Sequence, residues 1–363
     1  MSPWSQCLRG GAGHEVGASC DVQLSFSVII PARNAAAVLA ECLEAIDRRP
    51  DALSPREVIV VDDGSADTTA TLAEAFGARV LRLVGRGPAA ARNAGARAAS
   101  GDLLVFLDAD CVAEEGCFEA LLEPFANPAV AGSRGGYTST QRALLARFVQ
   151  LEMEEKQGRL AASRQIALLD TACAAYRRPL FLEHGGFDEG LPATSAEDAE
   201  LSFRLTARGY LLVYAANARV RHQHPEQLGS YLRRKLRFGY YRALLYRRYP
   251  ARIRNDGYTP RLMPIQIALA GTAMAAAFAG MWSTGIRPVA AGSALAFLAA
   301  SLPMARRAWA GDRPLAVATP PLLLLRSLAQ GIGLLTGLLA QVMKPPVARG
   351  GSRPGYHPRG TDR

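Results

Sequence analysis

The chain's best candidates for chemistry are acidic residues placed just behind apolar runs. Asp108-Ala109-Asp110 closes the run DLLVFLDAD. On an extended chain, side chains two residues apart point to the same side, so both carboxylates can meet one divalent cation or divide their work between a cation and a ribose. Hard oxygen ligands suit Mg2+ or Mn2+, which bridges a diphosphate and offsets charge on a departing group. The same triplet also serves as a cap or turn, so alone it identifies nothing. Asp62-Asp63-Gly64-Ser65 ends a second apolar run. A carboxylate there can accept hydrogen bonds from a base or ribose, while Ser65 or Asp67 can equally cap the next helix. Glu197-Asp198 follows a glycine-rich loop, 184–196, that can close over substrate. An acid in that place can take the proton of an attacking hydroxyl, or can simply favour a helix N-terminus. His222 and His224 fall on one side of an expected strand, where either imidazole can complete a metal shell.

The elements that must position these residues alternate. FSVIIP, EVIVVDD, ARVLRLVG and DLLVFLDAD read as strands, and the stretches between them carry apolar residues at helical spacing. That alternation predicts an α/β fold with a mostly parallel sheet flanked by helices. Ligands in such sheets bind beyond the carboxyl ends of the strands. Arg33 and Asn34, Asp62 and Asp63, Arg92 and Asn93, and Asp108 and Asp110 all fall there and form one polar rim. Further on, 140–165 reads as a helix, 166–176 as a strand or buried turn, EDAELSFRLTARGY as a helix, and LLVYA with ARVRHQH as a short strand pair.

Composition changes along the 363 residues. The expected organisation is a tail over 1–24, a catalytic domain over 25–230, a basic segment over 231–261, membrane helices over 262–343 and a basic tail over 344–363. The net charge of +10 is concentrated between Arg233 and Arg261. Placed before an apolar span, that cluster fits a juxtamembrane segment drawn to anionic headgroups, not a nucleic-acid surface. Leu262 to Trp282 is long enough to cross a bilayer, and Pro288 to Met304 returns. Leu315 to Met343 is interrupted by Pro320, Pro321 and Arg326, which suits a hairpin or interfacial segment and leaves both termini in the cytoplasm. The six cysteines show neither metal spacing nor a disulfide framework, so reduced thiols are expected. Residues 1–22 lack the pattern of a cleavable signal peptide, which predicts a cytoplasmic catalytic part on the inner (plasma) membrane.

Taken together, SVIIPARN (27–34), VIVVDDGSADTT (58–69), GPAAARNAGARAASGDLLVFLDAD (87–110), AAYRR (174–178), GGFDE (185–189) and EDAELSFRLTARGY (197–210) resemble family 2 glycosyltransferases of the GT-A fold. The resemblance implies inverting transfer of a sugar from a nucleotide-diphosphate donor to a hydroxyl, and a bilayer-anchored site with a basic approach surface fits a lipid-linked or cell-envelope glycan acceptor. The resemblance places Pro31 and Asp62 on the base, Arg92 on the nucleotide and Asp108 on the ribose, with Arg33, Asp63 and Arg237 also on the donor side. Asp110 and His222 would hold the metal, and Asp198 would be the catalytic base. Arg234-x-x-Arg237-Phe238 is similar to the Gln-x-x-Arg-Trp element of processive members, but Arg replaces Gln and Phe replaces Trp. Those departures point to single transfer. Arg33 replaces a frequent aromatic, and Cys173 stands where many relatives carry a polar residue such as Asn.

Two rival readings differ in class. Gly85-Arg86-Gly87-Pro88-Ala89-Ala90 fits the dinucleotide fingerprint of an NAD-linked oxidoreductase, although it follows the third strand, not the first. A membrane-tethered binding or scaffold protein without turnover would keep the fold alone.

Overall fold

The computed structural model describes residues 24–47, 55–191, 196–253 and 259–343. The tails expected before residue 24 and from Lys344 onward lie outside these, as do Cys7, Cys20, residues 254–258 of the basic segment and 192–195 of the expected closing loop.

The first half alternates as the apolar runs require: β1 (Phe26–Ala32), α1 (Ala36–Asp47), β2 (Glu57–Asp62), α2 (Thr69–Ala75), β3 (Arg79–Arg82), α3 (Pro88–Ala98) and β4 (Leu103–Leu107). β1 pairs in parallel with both β2 and β4, and β2 with β3. Because side chains alternate across a strand, Val28, Ile30, Val60 and Val105 feed one core, while Ile29, Ile59, Val61, Leu104 and Phe106 feed the other. Burial on both faces is why these strands read as unbroken apolar runs.

The second half departs from that pattern. It runs β5 (Cys111–Ala113), α4 (Cys117–Leu122), β6 (Val130–Thr138), α5 (Leu144–Ala161), β7 (Cys173–Arg177), α6 (Arg178–Glu183), α7 (Glu197–Thr206) and β8 (Leu211–His222). The sheet order is β3-β2-β1-β4-β7-β6-β8-β5. β7 runs antiparallel to β4 and β6, β5 antiparallel to β8, and only β6 with β8 is parallel there. The sheet is therefore mixed, with its parallel half intact.

Three expectations change. β3 is shorter than ARVLRLVG, ending at Arg82. LLVYA and ARVRHQH are not a strand pair but one strand, β8, whose register against β6 shifts between Arg134 and Gly136. β6, with sequence VAGSRGGYT, was not anticipated, because glycines hide its strand character. They are needed there: a Cβ on Gly135 would sit 2.6 Å from the Ala218 carbonyl oxygen, and one on Gly132 2.6 Å from the Leu169 side chain.

The last third is helical: α8 (Leu228–Arg248), α9 (Leu262–Ala279), α10 (Arg287–Trp309) and α11 (Arg313–Met343). The last three are long and apolar enough to cross a membrane by length and composition. The basic segment begins as an ordered helix, with Arg233, Arg234 and Arg237 exposed and Tyr231, Gly239 and Ala243 buried. The expected interruption at Pro320-Pro321 is absent: α11 is one helix of 31 residues, which rules out a hairpin within it. Contacts along its length outweigh the proline signal. Arg326, 2% exposed, faces inward and donates to Glu152 of α5 at 3.0 Å and to the side-chain oxygen of Gln266 on α9.

Candidate active site

The carboxyl ends of β1, β2 and β4 and the N-terminus of α7 converge. Asp108 and Asp110 lie in a tight turn between β4 and β5, closed by the Cys111 N–H donating to the Asp108 carbonyl at 3.0 Å. The turn, not an extended chain, separates the two carboxylates. Asp108 accepts from Arg92 Nη2 at 2.7 Å, while Asp110 Oδ2 lies 3.6 Å from His222 Nε2 at the end of β8. Burial, reinforced by Asp108, raises the Asp110 carboxyl above the ordinary range, with His222 opposing.

Ligand atoms of Asp110, His222 and Cys111 lie within 4.8 Å of one another. A carboxylate and an imidazole facing each other fit a divalent cation. Cys111 is fully buried, and burial holds its thiol protonated, so the pair that fits is Asp110 with His222. His224 is turned away: its Nε2 lies 2.9 Å from Gln150 Oε1, and burial, helped by His222, lowers it to about 4.

Glu197 and Asp198 are adjacent on α7 yet have different partners. Glu197 is 3% exposed and accepts from Arg92 Nη1 at 3.1 Å, so one buried guanidinium ties the β4 end to the start of α7. Asp198 accepts from the Ala199 N–H at 2.7 Å. Burial pushes it up to about 7, with Glu197 and Asp170 adding to the rise. A carboxyl poised there can change protonation during a reaction near neutrality.

The approach to α7 is fixed from below. Phe187 of GGFDE is buried edge-on against Phe106, Tyr176 and Phe181, contacts of about 0.5–1.5 kcal/mol each beyond area burial. Asn93 donates to the Phe187 carbonyl at 2.9 Å and accepts its N–H at 2.9 Å. Gly186 is left-handed at φ +65°, and a Cβ there would collide with the Asn93 side chain.

On the donor side, Asp62 Oδ1 accepts the Ser65 N–H at 3.1 Å and its hydroxyl. Asp63 accepts the N–H groups of Arg86 and Gly87, each at 2.7 Å, one on each carboxylate oxygen. That clamp occupies the backbone donors which a dinucleotide fingerprint would offer to a pyrophosphate, so the oxidoreductase reading loses its physical basis. Asn34, at φ +51°, accepts the Ala66 N–H at 2.8 Å and holds the loops after β1 and β2 together. Pro31 closes β1 beside them and Arg33 is exposed on the same rim. Arg237 is exposed on α8, one turn beyond Arg234, whose charge acts on Asp110.

Sequence reasoning missed one group. Arg134 of β6, fully buried, lies 2.6 Å from Asp170, which also accepts from Lys156 at 3.2 Å. Asp170 feels the charges of Asp108 and His222 and acts on Asp198, so it belongs to the rim. The available signal was a charged residue inside the glycine-flanked stretch Gly132-Ser133-Arg134-Gly135-Gly136. Cys173, which stands where many relatives carry a polar residue, is a core thiol 3.9 Å from Cys117 Sγ.

Residues 27–185 match the family described as Glycosyl transferase family 2. A pre-mycofactocin glycosyltransferase of Mycobacterium tuberculosis is 32% identical over 62% of this chain and 48% of its own length. A validoxylamine A glucosyltransferase of Streptomyces hygroscopicus subsp. jinggangensis is 32% identical over 53% of this chain and 54% of its own. The chain thus spans about half the length of these curated relatives. Among solved structures, the mannosyltransferase PcManGT of Pyrobaculum calidifontis, in complex with GDP-Man and Mn2+, is 21% identical. It covers 91% of this chain and 92% of its own with a TM-score of 0.57, a likeness of fold, and that fold is the GT-A type. With the motifs of Ser27 to Gly185 placed along one rim by that fold, residues 27–185 are a family 2 glycosyltransferase domain.

Proposed function

We propose that the chain is a membrane-anchored, inverting glycosyltransferase that moves one sugar from a nucleotide-diphosphate donor to the hydroxyl of a lipid-linked or envelope glycan acceptor. The observation that carries this reading is the split between Glu197, paired with Arg92, and Asp198, left with its carboxyl near 7, in a chain that also holds the metal-competent pair Asp110 and His222.

Asp198, ionised, removes the proton of the acceptor hydroxyl as it attacks the anomeric carbon from the face opposite the departing diphosphate. Arg92 holds Asp108 towards the ribose and fixes the start of α7 relative to β4. The loops after β1 and β2, with Pro31, Arg33 and Asp62, receive the base. Asp63 preserves that shelf through its backbone clamp, and Arg237 offers positive charge at the diphosphate end. Asp110 and His222 would hold Mn2+ or Mg2+, whose charge offsets that of the departing diphosphate.

The acceptor's source is supported by position. A cleft of about 270 Å3, lined by Gln141, Gln150, Arg307 and Asp312 among others, opens where the catalytic domain meets the turn between α10 and α11. Gln150 and Gln141 both bond His224, so this cleft adjoins the metal-competent end of β8. The reading places the catalytic domain on the cytoplasmic face of the plasma membrane, where nucleotide sugars are available.

Screening UDP-, GDP- and dTDP-sugars for donor turnover with Mn2+ and Mg2+, using the full chain in lipid, tests the proposal. Metal-dependent release of the nucleotide from one donor series is expected. Tight binding of a donor with no turnover under any metal or acceptor would favour a binding protein instead.

A further inference from the structure

The three apolar helices are not equivalent. In the apolar windows of α9 and α10, 17% of residues are buried, against 39% for α11. The burial of α11 lies along one face, at Leu315, Leu323, Arg326, Gln330, Gly333 and Gly337, spaced as one side of a helix requires. The opposite face is an exposed apolar stripe of Val317, Leu325, Ile332, Leu335, Leu339 and Val342.

The buried face packs on α5 and α8 and, through Arg326 with Gln266 and through Leu315 and Leu323 with Ala270 and Phe297, on the α9–α10 hairpin as well. Just before α11, Asp312 pairs with Arg147 of α5. Midway, Arg326 meets Glu152. Beyond it, a Cβ on Gly333 or Gly337 would collide with the backbone of α8 at Leu236 or Tyr240, and one on Gly239 with the backbone at Gln330. At the far end, Arg247 donates to the Gln341 carbonyl at 3.2 Å. α8 is itself fastened to the α/β body at both ends: Lys235 pairs with Glu152 at 2.8 Å, Tyr249 donates to Glu200 at 2.8 Å, and Arg248 pairs with Asp188 at 2.9 Å.

A helix rising about 1.5 Å per residue travels roughly 45 Å between such contacts, more than the ~30 Å thickness of a hydrocarbon core. If α11 crossed the bilayer, α8 would be carried in with it, and so would the exposed Arg233, Arg234, Arg237, Arg247 and Arg248. Lipid does not accommodate such a group of guanidinium ions, of which Arg248 alone is paired with acidic side chains among the described residues.

We propose that α11 lies in the membrane–water boundary, its Val317-to-Val342 stripe docked on a bilayer bearing anionic headgroups, while the α9–α10 hairpin is the part that inserts. This rests on the membrane reading given under Proposed function. The hairpin's turn end carries Phe278, Met281 and Trp282, each more than 60% exposed, as an inserted tip requires. The exposed arginines of α8 supply the charge that anionic headgroups attract.

The test uses the full chain with Cys7 and Cys20 replaced by Ser, the four buried native thiols being retained. Single cysteines at Val317, Leu325, Leu335, Val342 and Phe278, all exposed, carry spin labels in phosphatidylcholine–phosphatidylglycerol vesicles. The four α11 labels should share one shallow depth within about one helical turn, with Phe278 deeper. The label at 342 should also be reduced by an impermeant reagent added on the catalytic-domain side. Depths that pass through the midplane between 317 and 342, with 342 reached only from the opposite side, would overturn the proposal. Labels that all stay in water, Phe278 included, would overturn membrane anchoring as well. Nucleotide-sugar turnover in the same samples reads the glycosyltransferase proposal separately.

Discussion

Two clusters of buried charge in this molecule follow opposite rules. Beneath α5, Glu152 meets Arg326, Lys235 and the Tyr231 hydroxyl. Burial works against its charge, but Lys235 and Arg326 outweigh that and hold its carboxyl below the usual range. At the strand ends, Asp110 and Asp198 are held above it, because their acidic neighbours add to the cost of burial. Full compensation fastens the helices to the catalytic body. Incomplete compensation leaves groups that a cation, a diphosphate or a moving proton can complete. On the proposed function, the chain tolerates carboxylates it has not neutralised because binding would neutralise them.

The contrast can be broken at either cluster. The largest expected effect is Asp110→Asn, which should abolish sugar transfer even with excess Mn2+, since a neutral amide is a poor ligand for a hard cation. Near-wild-type transfer by this variant in chelator would remove Asp110 from the site. Next, Glu152→Gln leaves Arg326 and Lys235 buried with half a partner and should cost about 3–5 kcal/mol of stability, read as a lowered unfolding midpoint in detergent. Its rate below that midpoint should stay close to wild type, the reverse of Asp110→Asn.

The third effect is on rate alone. Asp198→Asn should slow transfer by at least ~10²-fold, about 2.7 kcal/mol, with donor affinity nearly unchanged. Collapse of donor affinity would instead make Asp198 a donor ligand, and Glu197, buried under Arg92, could not easily replace it as base. The smallest effect is on pH. With the carboxyl at about 7, transfer should fall about tenfold per unit as pH drops below that value, and Asp198→Asn should lose this limb. Stability carries the opposite sign. A carboxyl whose folded pKa lies above its unfolded one favours the fold at low pH, and that contribution is lost as pH rises from about 4 to about 7. The Asn variant should therefore gain stability relative to the native chain across that window.

Much of this was legible in the sequence because one physical cause acted alone. β1, β2 and β4 are apolar runs buried on both faces, and their ends gather the acids that the motif spacing singled out. Where two causes competed, the sequence misled. Gly132, Gly135 and Gly136 satisfy close packing in β6 and so erase its strand signal. Ala216 and Asn217, exposed at the register shift, make a single strand look like two. Pro320 and Pro321 announce a break that tertiary contact cancels. Arg134 and Asp170 carry no motif at all; only the fold brings a β6 side chain onto the loop before β7 and, through Asp170, within electrostatic reach of Asp198.

The glycines between α8 and α11 bear on more than packing. Gly239, Gly333 and Gly337 let two backbones touch, which removes the slack that long side chains would provide. On the proposed docking, this close contact of α8 with α11 would hold the reacting rim at one height above the lipid. A hydroxyl presented too near the headgroups, or too far above them, would miss Asp198 whatever its chemistry. On the proposed membrane docking the joint would work as a ruler, selecting acceptors by how far they reach from the membrane as well as by what they are.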